Sequence, residues 1–146
     1  MATPPKRETS RLRFGRKTAH GAYYFITVCT KERAAILTTE ETGRTVANSL
    51  ESLHSSGDIE LLAATIMPDH VHFLFALGDG LHVGQVMGKF KALARNLGQA
   101  TWRWQHDGFE HQLRSVEAID DYGFYIFMNP YRAGLCPLAT PWSWWL

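Results

Sequence analysis

His70 and His72 stand two residues apart in the run His70–Leu77, HVHFLFAL. On an extended strand, positions i and i+2 project from one side with Cα atoms about 6.5 Å apart, close enough for two neutral imidazoles to share a divalent cation. Taken alone, the pair also fits two half-exposed histidines on a sheet surface. Further along, Tyr125 and Asn129 are four apart, so on a helix a phenol and an amide emerge from the same face. Asn129-Pro130-Tyr131-Arg132-Ala133-Gly134 also reads as an N-cap, a proline at the first helical position and a terminating glycine. A cation held by the two imidazoles would act as a Lewis acid, polarising an oxygen bound to it and offsetting charge that develops on that oxygen.

These groups need elements to hold them. Ala22–Thr30, AYYFITVCT, is rich in aromatic and β-branched residues and predicts a buried strand. Glu40–Ser56 carries Val46, Leu50 and Leu53 at helical spacing and stops at Gly57-Asp58. Ile59–Met67 and His70–Leu77 flank the turn Pro68-Asp69 and predict an antiparallel pair. Alternation in the second strand sets Val71, Phe73, Phe75 and Leu77 toward a core and His70, His72, Leu74 and Ala76 to the other side. A second long helix is expected from Leu81 to about Trp102, with Lys89, Lys91 and Arg95 on its polar face. Residues 105–116 look irregular with a short strand near the end. Ser115 suits the cap of a helix from Val116 to about Met128. The tail, PLATPWSWWL, predicts docking by its indoles rather than regular structure. This order makes an α+β domain: an antiparallel sheet with helices packed mainly on one face.

The 146 residues suit one domain. No apolar run approaches the roughly 20 residues of a membrane span, and the start resembles no secretory signal, so the cytoplasm is the expected compartment. Cys29 and Cys136 match no metal or redox spacing and read as reduced and structural. Net charge is only +1, too little for a protein that wraps long duplex DNA. Its distribution is uneven: Lys6, Arg7, Arg11, Arg13, Arg16 and Lys17 face only Glu8 in the first seventeen residues, either a solvated tail or an arm for phosphates.

Read together, several segments resemble the single-tyrosine HUH transposases of the IS200/IS605 type, and among them the REP-associated tyrosine transposases. They are the Arg-rich start, Gly-Ala-Tyr-Tyr-Phe-Ile-Thr-Val (21–28), Met-Pro-Asp-His-Val-His (67–72) and the lysine-bearing helix near 89–91. Trp104-Gln105 with Phe109, His111 and Leu113-Arg114-Ser115 follows, then Tyr125-Ile-Phe-Met-Asn-Pro-Tyr-Arg-Ala-Gly-Leu135. The resemblance runs in order across residues 11–135. It implies a ferredoxin-like sheet of the HUH type, a basic arm (1–20), the transposase domain (21–136) and a Pro/Trp-rich tail (137–146). It makes His70 and His72 metal ligands, Asn129 the third ligand and Tyr125 the nucleophile, with Tyr122 in reserve.

The activity so implied is cleavage and rejoining of single-stranded DNA, at hairpin or palindromic repeats, through a covalent 5′-phosphotyrosine. Two imidazoles and an amide leave coordination positions open and suit Mg²⁺ or, better, Mn²⁺. Lys89, Lys91, Arg95, Trp104 and the arm residues Arg11, Arg13, Arg16 and Lys17 are candidate DNA contacts; Trp102, Trp104 and Phe109 fit either base stacking or the core. A monomer is favoured over a homodimer with shared sites. Competing readings are a domesticated, non-catalytic DNA-binding protein on this scaffold and a phosphodiesterase that uses water.

Overall fold

The computed structural model describes residues 21–114 and 117–146. The basic arm, with Arg11, Arg13, Arg16 and Lys17, and the expected cap Ser115 lie outside them. The order of elements is β1 (Tyr23–Cys29), a 3-10 turn (Lys31–Arg33), α1 (Glu40–Ser55), β2 (Ile59–Met67), β3 (His70–Leu77), α2 (Val83–Ala94), β4 (Phe109–Gln112) and α3 (Glu117–Arg132). The four strands form one sheet in the order β2-β3-β1-β4, and every pairing is antiparallel. This is the split βαβ arrangement of a ferredoxin-like domain, with a final helix appended.

Alternation along the strands gives the sheet two unlike faces. Tyr24, Ile26 and Val28 of β1, Ala64 and Ile66 of β2, and Val71, Phe73 and Phe75 of β3 face α1 and α2 and form the main core. Phe73 and Phe90 pack with ring centroids 5.0 Å apart. Burying side chains of this size contributes roughly 1.5–3 kcal/mol each, so this face fixes β3 from behind. The opposite face carries a smaller cluster of Phe25, Leu74, Leu113 and Ile126, covered by α3. Helices on mainly one face therefore describes α1 and α2. Helix α3 takes the other face, and it is the helix that carries Tyr125.

Local chemistry sets the helix ends. The Thr39 hydroxyl accepts from the Thr42 amide at the start of α1, and Glu40 and Glu41 in the first turn suit the helix dipole. His82 and Gln85 form a capping box at the start of α2. This helix ends at Ala94, not near Trp102: Asn96, Leu97 and Gly98 all adopt left-handed backbone angles, which break the helical path. Helix α3 runs four residues past Met128, so Asn129 and Pro130 lie inside it. The N-cap reading of Asn129 is thereby corrected, while Gly134, at φ +73, lies beyond the end as expected.

The C-terminal tail docks by its indoles and also by its backbone. Ala64 and Leu146 exchange amide–carbonyl hydrogen bonds, and the Ile66 amide donates to the Trp144 carbonyl. The outer edge of β2 is thus covered, which removes a free template for strand pairing. The Trp142 indole donates to the Ile66 carbonyl, and Trp145 stacks on Phe127 of α3. Trp144 lies so close to Gly43 of α1 that a Cβ there would meet its ring at 2.6 Å.

Candidate active site

The histidine face opens into a cleft of about 440 Å³ between the end of the sheet and α3. His70 and His72 line it from β3, and Tyr125 and Asn129 line it from α3. The imidazole centroids are 4.6 Å apart, and the Tyr125 ring is 5.3 Å from that of His72 at a steep 70°. The sequence-expected pair, phenol and amide are therefore brought together within a single chain.

Each imidazole is oriented by a partner on its Nδ1. Thr27 lies directly opposite His72 in the β1–β3 register, and its hydroxyl is 2.8 Å from His72 Nδ1. His70 Nδ1 is 2.6 Å from Asp69 Oδ1, while Arg33 Nε donates to Asp69 Oδ2 at 2.9 Å. With Nδ1 as the hydrogen-bonded nitrogen on both rings, the Nε2 atoms are left for the cleft, the usual arrangement of ligating histidines. His72 Nε2 is buried and has no hydrogen-bond partner among the described residues. Such an orphaned nitrogen costs free energy unless something polar meets it. The Asn129 side chain is nearly buried and lines the same cleft.

Electrostatics keep the pair ready to donate electrons rather than protons. Burial pushes the His72 pKa well below the ordinary histidine value, and the neighbouring charges of His70 and Arg33 add to this. Burial also lowers that of His70, although Asp69 opposes the shift. Burial of Asp69 works against its charge, but the hydrogen bonds from Arg33 and His70 prevail and hold it below the usual carboxylate range. Both imidazoles are thus neutral at pH 7 with free lone pairs. Among the described residues no three His, Cys, Asp or Glu side chains cluster as a metal site, so a cation here would rest on two imidazoles and the neutral amide. Those donors fit an open site, not a closed structural zinc site.

Asp69, Arg33 and Thr27 were not singled out from the sequence. Asp69 read only as a turn residue, and Thr27 becomes visible once the strand register is known. Arg33 lies at φ 55 beside Glu32 at φ 58, two successive left-handed residues that turn its side chain toward Asp69.

Other expected contacts lie elsewhere. Lys89 pairs with Asp58. Lys91 donates to the carbonyls of Gln105 and His106, and Arg95 to those of Ala100 and Trp102. The Trp104 indole donates to the Lys91 carbonyl, and Trp102 and Trp104 pack against the main core, across the sheet from the histidines. Lys91, Arg95 and Trp104 hold the 95–107 segment onto α2, Lys89 reaches the turn after α1, and none of them lines the cleft. Phe109, in contrast, joins the smaller cluster on the histidine face. Tyr122, three residues before Tyr125, packs against Phe25 at 4.8 Å and stacks on His111, outside the residues that line the cleft. The Tyr131 hydroxyl donates to the Thr140 carbonyl on the outer side of α3.

A ferredoxin-like sheet whose histidine pair is turned toward a tyrosine helix is the framework of a HUH-type DNA-processing enzyme. A family model for IS200-like transposases matches residues 18–122, and the chain belongs to that family. It is a DNA-binding transposase; the matched span contains both histidines and ends three residues before Tyr125. Among solved structures it is similar to a REP-associated tyrosine transposase bound to a REP hairpin, at 20% identity and a TM-score of 0.75, covering 89% of this chain and 79% of that one. It is also similar to a protein of Deinococcus radiodurans R1 assigned as a transposase (19% identity, TM-score 0.55, 83% and 95% covered). The tRNA(His) guanylyltransferase of Saccharomyces cerevisiae shares the fold at 10% identity, with a TM-score of 0.56 and coverage of 86% and 66%. No curated protein sequence matches the chain.

Proposed function

We propose that this transposase cleaves and rejoins single-stranded DNA beside hairpin or palindromic repeats through a covalent link between Tyr125 and a 5′ phosphate. The observation that carries this reading is the seating of Tyr125 5.3 Å from the buried, neutral His72 imidazole in a shared cleft. His70 Nε2, His72 Nε2 and the Asn129 amide would hold a divalent cation, Mg²⁺ or Mn²⁺, which when bound polarises the phosphoryl oxygen and offsets developing charge. The orphaned His72 nitrogen and the open donor set support that assignment. Thr27 and Asp69 keep the rings turned toward the cleft.

In this reading the Tyr125 oxygen attacks phosphorus, the bond to the 3′ oxygen breaks, and the electron pair leaves with that oxygen. The phenolic proton passes to solvent and the 3′ oxygen takes one up. Bond energy stays in the phosphotyrosine, so the step reverses on another 3′ hydroxyl without ATP. In-line attack needs a splayed backbone, which favours unpaired strands beside hairpins over continuous duplex. Because one chain supplies both histidines and the tyrosine, a monomer suffices. The hairpin carried by the structurally similar REP-associated transposase supports a folded single strand as substrate. We assign the basic arm residues Arg11, Arg13, Arg16 and Lys17 to flanking phosphates and the enzyme to the cytoplasm.

The test is incubation of labelled hairpin single strands with the protein and Mn²⁺, followed by denaturing electrophoresis. The wild type is expected to form a protein–DNA adduct that survives denaturation, and Tyr125→Phe and His70→Ala are expected to form none. DNA binding without adduct would favour a non-catalytic role, and cleavage without adduct would favour water as the nucleophile.

A further inference from the structure

Two guanidinium groups line the cleft, Arg33 and Arg132, and their commitments differ. Arg33 is engaged by Asp69, so its charge is spent on fixing His70. Arg132 is exposed, pairs with no carboxylate among the described residues, and sits with its Cζ 5.1 Å from the Tyr125 ring centroid. Its place follows from helical geometry: Tyr125, Asn129 and Arg132 are spaced four and three apart on α3 and share one face. The last turn of a helix also suits a cation, because the carbonyl ends gather there. The DNA backbone must bring a negative phosphodiester into the cleft that Tyr125 lines, and this guanidinium stands over the Tyr125 ring in the same cleft. A guanidinium binds phosphate oxygens in bidentate fashion and gains strength as charge builds on them.

We infer that Arg132 is a further catalytic residue, which grips the non-bridging oxygens of the scissile phosphate while Tyr125 attacks it. The inference rests on the strand-transfer reading above. In the step, the oxygen–phosphorus bond to Tyr125 forms and the phosphorus–3′-oxygen bond breaks, while Arg132 stays protonated throughout and stabilises charge without transferring a proton. It differs in role from Arg33, which acts through Asp69 and His70 as a positioning residue.

The experiment is single-turnover adduct formation on a hairpin oligonucleotide with Mn²⁺, measured at saturating DNA for wild type, Arg132→Gln and Arg132→Lys. Melting temperature and DNA affinity are measured on the same samples. Arg132→Gln is expected to slow the step by about 10²–10³-fold, the loss typical of one transition-state donor. Its affinity for the whole oligonucleotide should change far less, and Arg132→Lys should recover part of the rate. A wild-type rate in Arg132→Gln would overturn the inference. So would equal losses in Gln and Lys, or a loss that tracks affinity or folded fraction. If the wild type itself forms no adduct, the strand-transfer reading has failed instead, and the two failures are told apart by that lane alone.

Discussion

On one side of the sheet, Val71, Phe73 and Phe75 of β3 press against Val86 and Phe90 of α2 with no measurable exposure. On the other side, the same strand offers His70 and His72 to Tyr125 and Asn129, and a buried imidazole nitrogen has no partner among the described residues. The first face is closed by apolar packing, which is tolerant of chemistry but not of lost volume. The second holds polar groups in a buried setting, where each unsatisfied atom is a cost that packing alone would remove. A strand with a two-residue period lets one segment serve both: the apolar face fixes the backbone, and that fixed backbone aims the histidines. Stability and chemistry should therefore separate by face when residues are changed.

The largest effect is expected at Tyr125→Phe, which keeps the ring packed against Phe25 but removes the hydroxyl. Adduct formation should fall more than about 10³-fold while the melting temperature stays close to wild type. A variant with residual adduct near wild type would break the division of labour. On the closed face, Phe90→Ala should destabilise by about 3–5 kcal/mol in denaturant titrations. Its activity per folded molecule at low temperature should be preserved; a loss of chemistry without a loss of stability would show that the faces are not separable.

Thr27→Val sharpens the comparison within the polar face. It keeps shape but removes the hydroxyl that holds His72 Nδ1. Cation affinity, followed by Mn²⁺ titration of the rate, should weaken about 10–100-fold with little change in melting temperature. The smallest effect concerns pH. The folded state holds both histidines below their ordinary pKa of 6.5, so below pH 6.5 the unfolded chain takes up protons that the folded chain refuses. Stability is then fully present above pH 6.5 and falls as pH drops toward the folded values, by at most about 1.4 kcal/mol per pH unit for each imidazole. Denaturation midpoints of the metal-free protein between pH 7.5 and 5 should show this slope, and His72→Leu should flatten it.

Much of this was legible in the sequence wherever a period carried it. Alternation in HVHFLFAL assigned the two faces of β3 correctly, and helical spacing found the buried stripe of α1. The pairing of Tyr125 with Asn129 on one face also held. Where left-handed backbone angles or tertiary packing decided, the sequence reading failed. The expected length of α2 ignored the turn at Asn96, Leu97 and Gly98, where asparagine and glycine tolerate positive φ but the intervening leucine continued the apolar helical pattern. Asn129-Pro130 matched a helix start, yet both residues are buried and the helix passes through them despite the proline's missing amide. The hydrogen bonds of Arg95 and Trp104 to the protein's own backbone were likewise not readable from residue type. Thr27 and Arg33 reach the histidines only through strand register and a left-handed turn, neither of which a pattern of residue types reveals. The strand pairing of the tail with β2 was hidden by its prolines and tryptophans.

The central claim is that the Tyr125 oxygen becomes bonded to DNA beside the histidine pair. It is tested most directly by digesting the protein–DNA adduct with trypsin and nuclease and locating the residual nucleotide by mass spectrometry. The account predicts a nucleotide joined through its 5′ phosphate to Tyr125. A nucleotide on Tyr122 or on any other residue would contradict it.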